Sequence, residues 1–74
     1  MVIQAILSNL QEVKSFFSML QREYGAALSQ GDIMGRIEIS GSLSAAYALI
    51  GNMVLARKWA EEVKAALHEC AHAN

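Results

Sequence analysis

The 74-residue sequence contains no proline and only one cysteine, Cys70. Because proline normally marks loops and turns, its absence from a chain rich in alanine and leucine favours an all-α fold. A single cysteine cannot form a disulfide within the chain, which excludes the class of small secreted proteins held together by disulfides. The sequence therefore predicts a helical protein of the reducing cytoplasm.

The sequence also lacks an excess of charge of either sign, with six Lys and Arg residues against seven Asp and Glu residues. A nucleic-acid-binding protein of this size usually presents a basic face, because contacts with phosphates supply much of its affinity. Here only Arg57 and Lys58 are adjacent. A helix-turn-helix in the second half of the chain would place Glu61, Glu62 and Glu69 on its recognition helix, where phosphates repel them. We expect no nucleic-acid partner.

No apolar run is long enough to cross a membrane. The longest apolar stretch, residues 43–56, is interrupted by Gly51 and Asn52, whereas a transmembrane helix needs about 20 predominantly apolar residues. The first residues are apolar, but no basic segment precedes them, so the pattern differs from that of a secretory signal peptide. The sequence predicts neither a membrane span nor a signal peptide.

What the sequence does contain is an apolar stripe with helical spacing. Positions 3, 6, 10, 13, 17, 20, 24 and 27 are all apolar or aromatic, and the spacing alternates between three and four residues. We call these eight positions the heptad seam. They predict a first helix over about residues 2–28. A domain of this size buries only about 60% of its unfolded surface, so the seam needs other helices, from the same chain or from a partner.

Two turn signals divide the rest of the chain. Gly31 can end a helix, and the carboxylate of Asp32 can cap the next one. Gly51 and Asn52 repeat this arrangement. The signals predict helices over about residues 33–50 and 53–70, within a single helical domain over residues 1–74.

The second predicted helix has small residues on one side. Gly41, Ala45 and Ala48 lie near one another at helical spacing. Small side chains let a neighbouring backbone approach closely, so we expect another helix against this side. The second helix should therefore be the central element, packed on more than one face.

The second and third predicted helices resemble the hairpin of a tetratricopeptide repeat. Leu43, Tyr47, Gly51 and Ala56 fall where that family has a leucine, an aromatic residue, a turn glycine and a small residue. The window from residue 37 to residue 70 has the length of one repeat, about 34 residues. The sequence departs from the family pattern at Ser40, Ala60 and His68. The resemblance implies one TPR-like hairpin whose surface binds a peptide or helix of another protein.

The last predicted helix carries the pattern H-E-x-x-H, formed by His68, Glu69 and His72. Two imidazoles at i and i+4 can share a zinc ion while the glutamate activates its water, as in zinc metalloproteases. A catalytic zinc needs a third protein ligand, and the nearby candidates are Glu61, Glu62 and Cys70. Cys70 lies about 200° around the helix from His68. A metal-binding or zinc-dependent hydrolase function is therefore the alternative hypothesis, and we expect no enzyme activity and no cofactor.

Cys70 itself has two interpretations. It could be a nucleophile with His68 or His72 as its base, but the sequence offers no third orienting group and no oxyanion donor. Alternatively, it is a small apolar residue of the core. We expect Cys70 on the buried face of the third helix.

The number of apolar side chains points to a protein partner. Phe16 and Met19, with Met1, are expected to stay exposed after packing within the chain. Trp59 is expected in the core, with an interface anchor as the alternative. We predict an interaction module of the adaptor, co-chaperone or inhibitor type, which forms a homodimer or a complex with another protein. The predicted partner-binding or oligomer-interface residues are Ile6, Leu10, Val13, Phe16, Phe17, Leu20, Tyr24 and Trp59.

Overall fold

The computed structural model describes residues 2–72, with side chains from residue 9 onward. It contains three α-helices, and no strand occurs within the described residues. This confirms the predicted all-α architecture of three helices. Each helix begins and ends within two residues of the bounds expected from the sequence. The helices are α1 (Val2–Gln30), α2 (Ile33–Leu49) and α3 (Met53–His72).

The first turn has the backbone conformation that its sequence predicts. Gly31 has a φ of 69°, a left-handed conformation that glycine adopts without the steric cost of a Cβ atom. The carboxylate of Asp32 accepts a hydrogen bond of 2.9 Å from the backbone N–H of Gly35. It thereby caps one of the free amides at the start of α2.

The second turn repeats the first. Gly51 has a φ of 82°, and the side-chain oxygen of Asn52 accepts a hydrogen bond of 3.2 Å from the N–H of Leu55. Each turn reverses the chain within a few residues. Neighbouring helices therefore run antiparallel, with α1 beside α2 and α2 beside α3.

The core lies along α2, which contacts both of the other helices. Among the described residues, the backbones of α1 and α3 do not contact each other. Leu43 and Ser40 of α2 are fully buried, and the Ser40 hydroxyl donates to the carbonyl of Arg36, which satisfies the hydroxyl inside the core. The other buried apolar residues are Leu20, Ala27, Ala56 and Ala66.

The small side of α2 does not receive a helix, so that expectation is wrong. Ala45 and Ala48 are exposed, and a Cβ atom added at Gly41 would meet nothing within 4 Å. The close approach occurs instead on the face that carries Ser44. The hydroxyl of Ser44 donates a hydrogen bond of 2.7 Å to the carbonyl of Ala56 in α3, and a longer side chain at either position would separate the two helices.

The molecule is elongated and thin. Its radius of gyration is 14.6 Å, whereas a compact chain of 74 residues has about 11 Å. It extends over 56 × 23 × 12 Å, and the smallest dimension is about the diameter of one helix with its side chains. The helices therefore form a single layer that leaves part of each one facing solvent. None of the described helices combines the length and apolar character needed to cross a membrane.

Candidate interaction surface

The first helix runs well past the end of the helix that it packs against. α1 has 29 residues and α2 has 17. The ring centroids of Phe17 and Tyr47 lie 4.4 Å apart, and Tyr47 is two residues from the end of α2. Because the two helices are antiparallel, α2 ends approximately level with residue 15 of α1. Residues 2–14, which we call the overhang, extend about 20 Å beyond that point at 1.5 Å per residue.

The heptad seam is covered along the α2-packed part of α1 and open at Leu10 and Val13, the seam positions of the overhang whose side chains are described. Val13, Leu20 and Ala27 follow one another at intervals of seven residues and so lie on one line of the helix. Leu20 and Ala27 are 7% and 5% exposed, whereas Val13 is 39% exposed. Leu10, on the same face, is 53% exposed. The stripe is thus continuous in sequence, but its intrachain partner stops halfway.

Aromatic and methionine side chains widen this open surface. Phe16 is 47% exposed, and its ring meets that of Phe17 edge to face at 6.2 Å between centroids. Met19 is also exposed. This confirms that Phe16 and Met19 remain as apolar surface after packing within the chain. Met1, predicted to join them, lies outside the described residues.

A second exposed apolar group lies where the overhang begins. It occupies the turn between α2 and α3 and the residues beside it, and we call it the turn patch. Two of its side chains are almost completely open, at 88% for Leu49 and 79% for Val54. The turn patch consists of Leu49, Ile50, Met53 and Val54.

Four other predicted interface residues are covered wholly or partly by the chain itself. Leu20 is buried, and Phe17 is half-buried against Tyr47. Tyr24 and Trp59 are half-buried and stack edge to face, with ring centroids 5.0 Å apart. The side chain of Ile6 lies outside the described ones. Of the predicted set, the open residues are Leu10, Val13 and Phe16.

A polar cluster joins all three helices near the opposite end of the layer. The Tyr24 hydroxyl donates a hydrogen bond of 2.5 Å to Glu62. Arg36, whose side chain is 12% exposed, forms an ion pair of 2.8 Å with Glu69. Burial, followed by the hydrogen bond with Glu62, raises the pKa of Tyr24. The hydrogen bond with Glu69 raises the pKa of Arg36 and keeps it protonated.

Tyr24 belongs to the heptad seam, but the sequence pattern gives no sign of its polar partners. Arg36, Glu62 and Glu69 are widely separated from it in sequence. No motif links residues at such separations, and only the packing of α1 and α3 on either side of α2 brings them together. The cluster holds the helix layer together through side chains where the backbones of α1 and α3 do not meet.

The H-E-x-x-H pattern is placed on the open end of α3. His68 and His72 are exposed, with ring centroids 4.3 Å apart. The Glu69 carboxylate is occupied by Arg36, so it is not directed at a water between the two imidazoles. Within the described residues, no group of three or more His, Cys, Asp or Glu side chains is arranged to hold a metal ion. The metal-binding alternative therefore stays a prediction. His68 and His72 would supply two of the three protein ligands that a catalytic zinc needs.

Cys70 is exposed, so the expectation of a buried thiol is wrong. It lies one turn beyond Ala66, the last buried residue of α3. Every residue from position 67 to position 72 is exposed, so the buried part of α3 ends at Ala66. Periodicity gives the face of a helix but not the point at which its neighbour ends.

Comparison with protein-family models, with curated proteins and with solved structures finds no match for this chain. The similarity of residues 37–70 to a tetratricopeptide repeat therefore stays a prediction. The candidate site is defined by the geometry of the overhang and the turn patch.

Proposed function

We propose that the protein is a small interaction module that binds another polypeptide through helix–helix contacts, in the manner of an adaptor, a co-chaperone or an inhibitor. One observation supports this function above the others. The stripe that α2 covers at Leu20 continues past the end of α2 to Val13 and Leu10, where it is exposed. A helix that packs on this stripe would bury it in the way that α2 buries its other half.

The chemistry of the overhang favours a polypeptide over a lipid surface or a nucleic acid. Glu12 and Lys14 are the only charged residues between positions 2 and 21. An interfacial helix on anionic lipids, or a helix on phosphates, requires several basic residues on its polar face. An apolar stripe with so few charged residues beside it is instead suited to contact with another apolar helix. The TPR-like hairpin predicted over residues 37–70 also favours a polypeptide partner, because tetratricopeptide repeats bind other polypeptides.

Site-specific photo-crosslinking in living cells tests this function and does not require that the partner be identified first. The photoreactive amino acid p-benzoylphenylalanine replaces Leu10 or Val13 in the open stripe. In matched controls it replaces Gln11 or Ser15, which are also exposed but lie on the opposite side of α1. Crosslinked species are separated by mass on denaturing gels and identified by mass spectrometry.

We expect discrete crosslinks to one polypeptide, either a second copy or another protein, from positions 10 and 13. Positions 11 and 15 should give none at the same expression level. The interaction function is refuted when positions 10 and 13 crosslink no polypeptide above the level of positions 11 and 15. It is also refuted when all four positions give the same unselective pattern, because a docking surface has one face.

A further inference from the structure

The chain exposes more surface than a compact monomer of its mass. Its accessible surface is 5462 Å². The scaling of surface with mass gives about 4,500 Å² for a folded monomer of 8.1 kDa. The difference of about 1,000 Å² is close to the roughly 800 Å² that each partner contributes to a standard protein–protein interface. The exposed excess is therefore of the size that one partner would cover.

We propose that the occupant of the overhang is a second copy of the chain. The two overhangs pair antiparallel and form a dimer with two-fold symmetry. This pairing depends on the interaction function proposed above and names its partner. In a two-fold interface the same patch of each molecule faces the other, so the patch must be complementary to itself.

The spacing of the seam provides this complementarity. Within the overhang the seam occupies positions 3, 6, 10 and 13, and the intervals between them are three, four and three residues. These intervals are the same in both directions. An antiparallel copy therefore brings position 13 opposite position 3, and position 10 opposite position 6, without a shift in register. In this register residues 2–14 pair along their whole length, which is the length of α1 that α2 leaves uncovered.

The direction of the pairing matches that of the intrachain packing. α2 runs antiparallel to α1 and ends near the overhang, and the overhang of the second copy would continue along the same side of the seam. Its first turn would then lie beside the turn patch. A single occupant thus accounts for both exposed apolar groups, the open stripe around Val13 and the turn patch around Leu49 and Val54.

Charge does not oppose the pairing. In the proposed register, Glu12 lies opposite position 4 and Lys14 lies opposite position 2, which are Gln4 and Val2. No pair of like charges meets across the two-fold axis, and like charges in contact are the usual obstacle to self-association. The overhang therefore permits a second copy as its partner, because its two charged residues, Glu12 and Lys14, do not face like charges in this register.

Sedimentation equilibrium of the purified chain at micromolar concentration tests the dimer. We expect a dimer for the natural sequence and for Gln11→Asp, which places a charge on the outer side of the overhang. Leu10→Asp should weaken dimerisation at least about 100-fold, because each dimer contains the substitution twice and each buried leucine contributes to the interface. Circular dichroism of both variants checks that α2 and α3 remain folded, since position 10 lies outside their packing.

Chemical crosslinking tests the register independently of any effect on folding. In a Cys70→Ser background, Asn9→Cys places two thiols close to the two-fold axis, with the two copies of position 9 about 3 Å apart along the helix axes at 1.5 Å per residue. Val13→Cys places them about 15 Å apart along the helix axes. A short bis-maleimide reagent should join Asn9→Cys chains and leave Val13→Cys chains unjoined.

The outcomes separate the dimer from the interaction function. A monomer at micromolar concentration overturns the dimer, as does efficient joining of Val13→Cys chains, which indicates a parallel pair or another register. The interaction function survives a monomeric result only when positions 10 and 13 crosslink a different polypeptide in cells. When those positions crosslink nothing, both proposals are wrong.

Discussion

The hydroxyl of Tyr24 in α1 donates a hydrogen bond to the carboxylate of Glu62 in α3, although the backbones of these two helices are not in contact. Tyr24 also stacks edge to face on Trp59, one turn earlier in α3. The side chain therefore spans the α2 layer at one place and ties the outer helices together. Its contribution can be measured separately from that of the apolar core.

Replacing Tyr24 with phenylalanine removes this hydrogen bond and keeps the ring on Trp59. We expect Tyr24→Phe to lower the free energy of unfolding by about 1 kcal/mol, the usual net value of one hydrogen bond. Tyr47→Phe is the matched control, because its hydroxyl only accepts an exposed hydrogen bond from Gln21. That control should stay within about 0.5 kcal/mol of the natural chain. Urea denaturation at one protein concentration measures both, and equal effects would contradict a special role for Tyr24.

The same contact predicts a loss of stability in strong base. The folded state raises the pKa of Tyr24 above its ordinary value of 10.0, chiefly through burial. The folded chain therefore holds this proton more tightly than the unfolded chain. The resulting stabilisation is complete below pH 10 and is lost as the pH rises through the raised pKa of Tyr24. Urea denaturation between neutral pH and strong base should show a steeper loss of the free energy of unfolding in the natural chain than in Tyr24→Phe. If the free energies of the two chains fall in parallel with pH, Tyr24 is not the source of the loss of stability.

The ion pair between Arg36 and Glu69 should contribute more to the free energy of unfolding than an exposed ion pair does. Glu69→Gln removes the charge that faces a largely buried guanidinium. We expect the free energy of unfolding to fall by about 1 kcal/mol. This is less than the loss expected for a fully buried pair, because Glu69 is half-exposed. Glu61→Gln is the control, since its 3.6 Å pair with Lys64 is exposed on both sides. That variant should change the free energy of unfolding by less than about 0.5 kcal/mol. Thermal unfolding that ranks the two variants in the opposite order would contradict this prediction.

Replacing Gly41 and Gly51 with alanine should change the stability of the protein in opposite directions. Gly41 lies inside α2, and a Cβ atom there meets no neighbour within 4 Å, so Gly41→Ala should stabilise the protein by about 1 kcal/mol. Gly51 has a left-handed φ of 82°, and Gly51→Ala should destabilise it by about 1 kcal/mol. Differential scanning calorimetry measures both shifts. Destabilisation by Gly41→Ala would indicate that another molecule packs on the open side of α2.

The local features of the fold were predictable because they depend on neighbouring residues. The caps at Asp32 and Asn52 and the left-handed glycines at 31 and 51 follow from turn chemistry that acts within a few residues. The exposure of Phe16 and Met19 also followed from sequence, since both lie on the flank of the heptad seam. The side that α3 packs on was not predictable from residue size alone, because Ser44 accommodates α3 through a hydrogen bond while a Cβ atom at Gly41 would meet no neighbour within 4 Å.

Local sequence patterns were enough to specify three helices, their turns and a continuous apolar stripe along the first helix. The part of that stripe that is covered depends on how the helices pack against one another. α2 is 12 residues shorter than α1, and antiparallel packing aligns its end with the middle of α1, so Leu20 is buried while Val13 is open. Helix packing likewise brings together one polar cluster, formed by Tyr24, Arg36, Glu62 and Glu69. Periodicity specifies a helix face through local geometry, but the end of a neighbouring helix and contacts between distant residues depend on how whole helices pack.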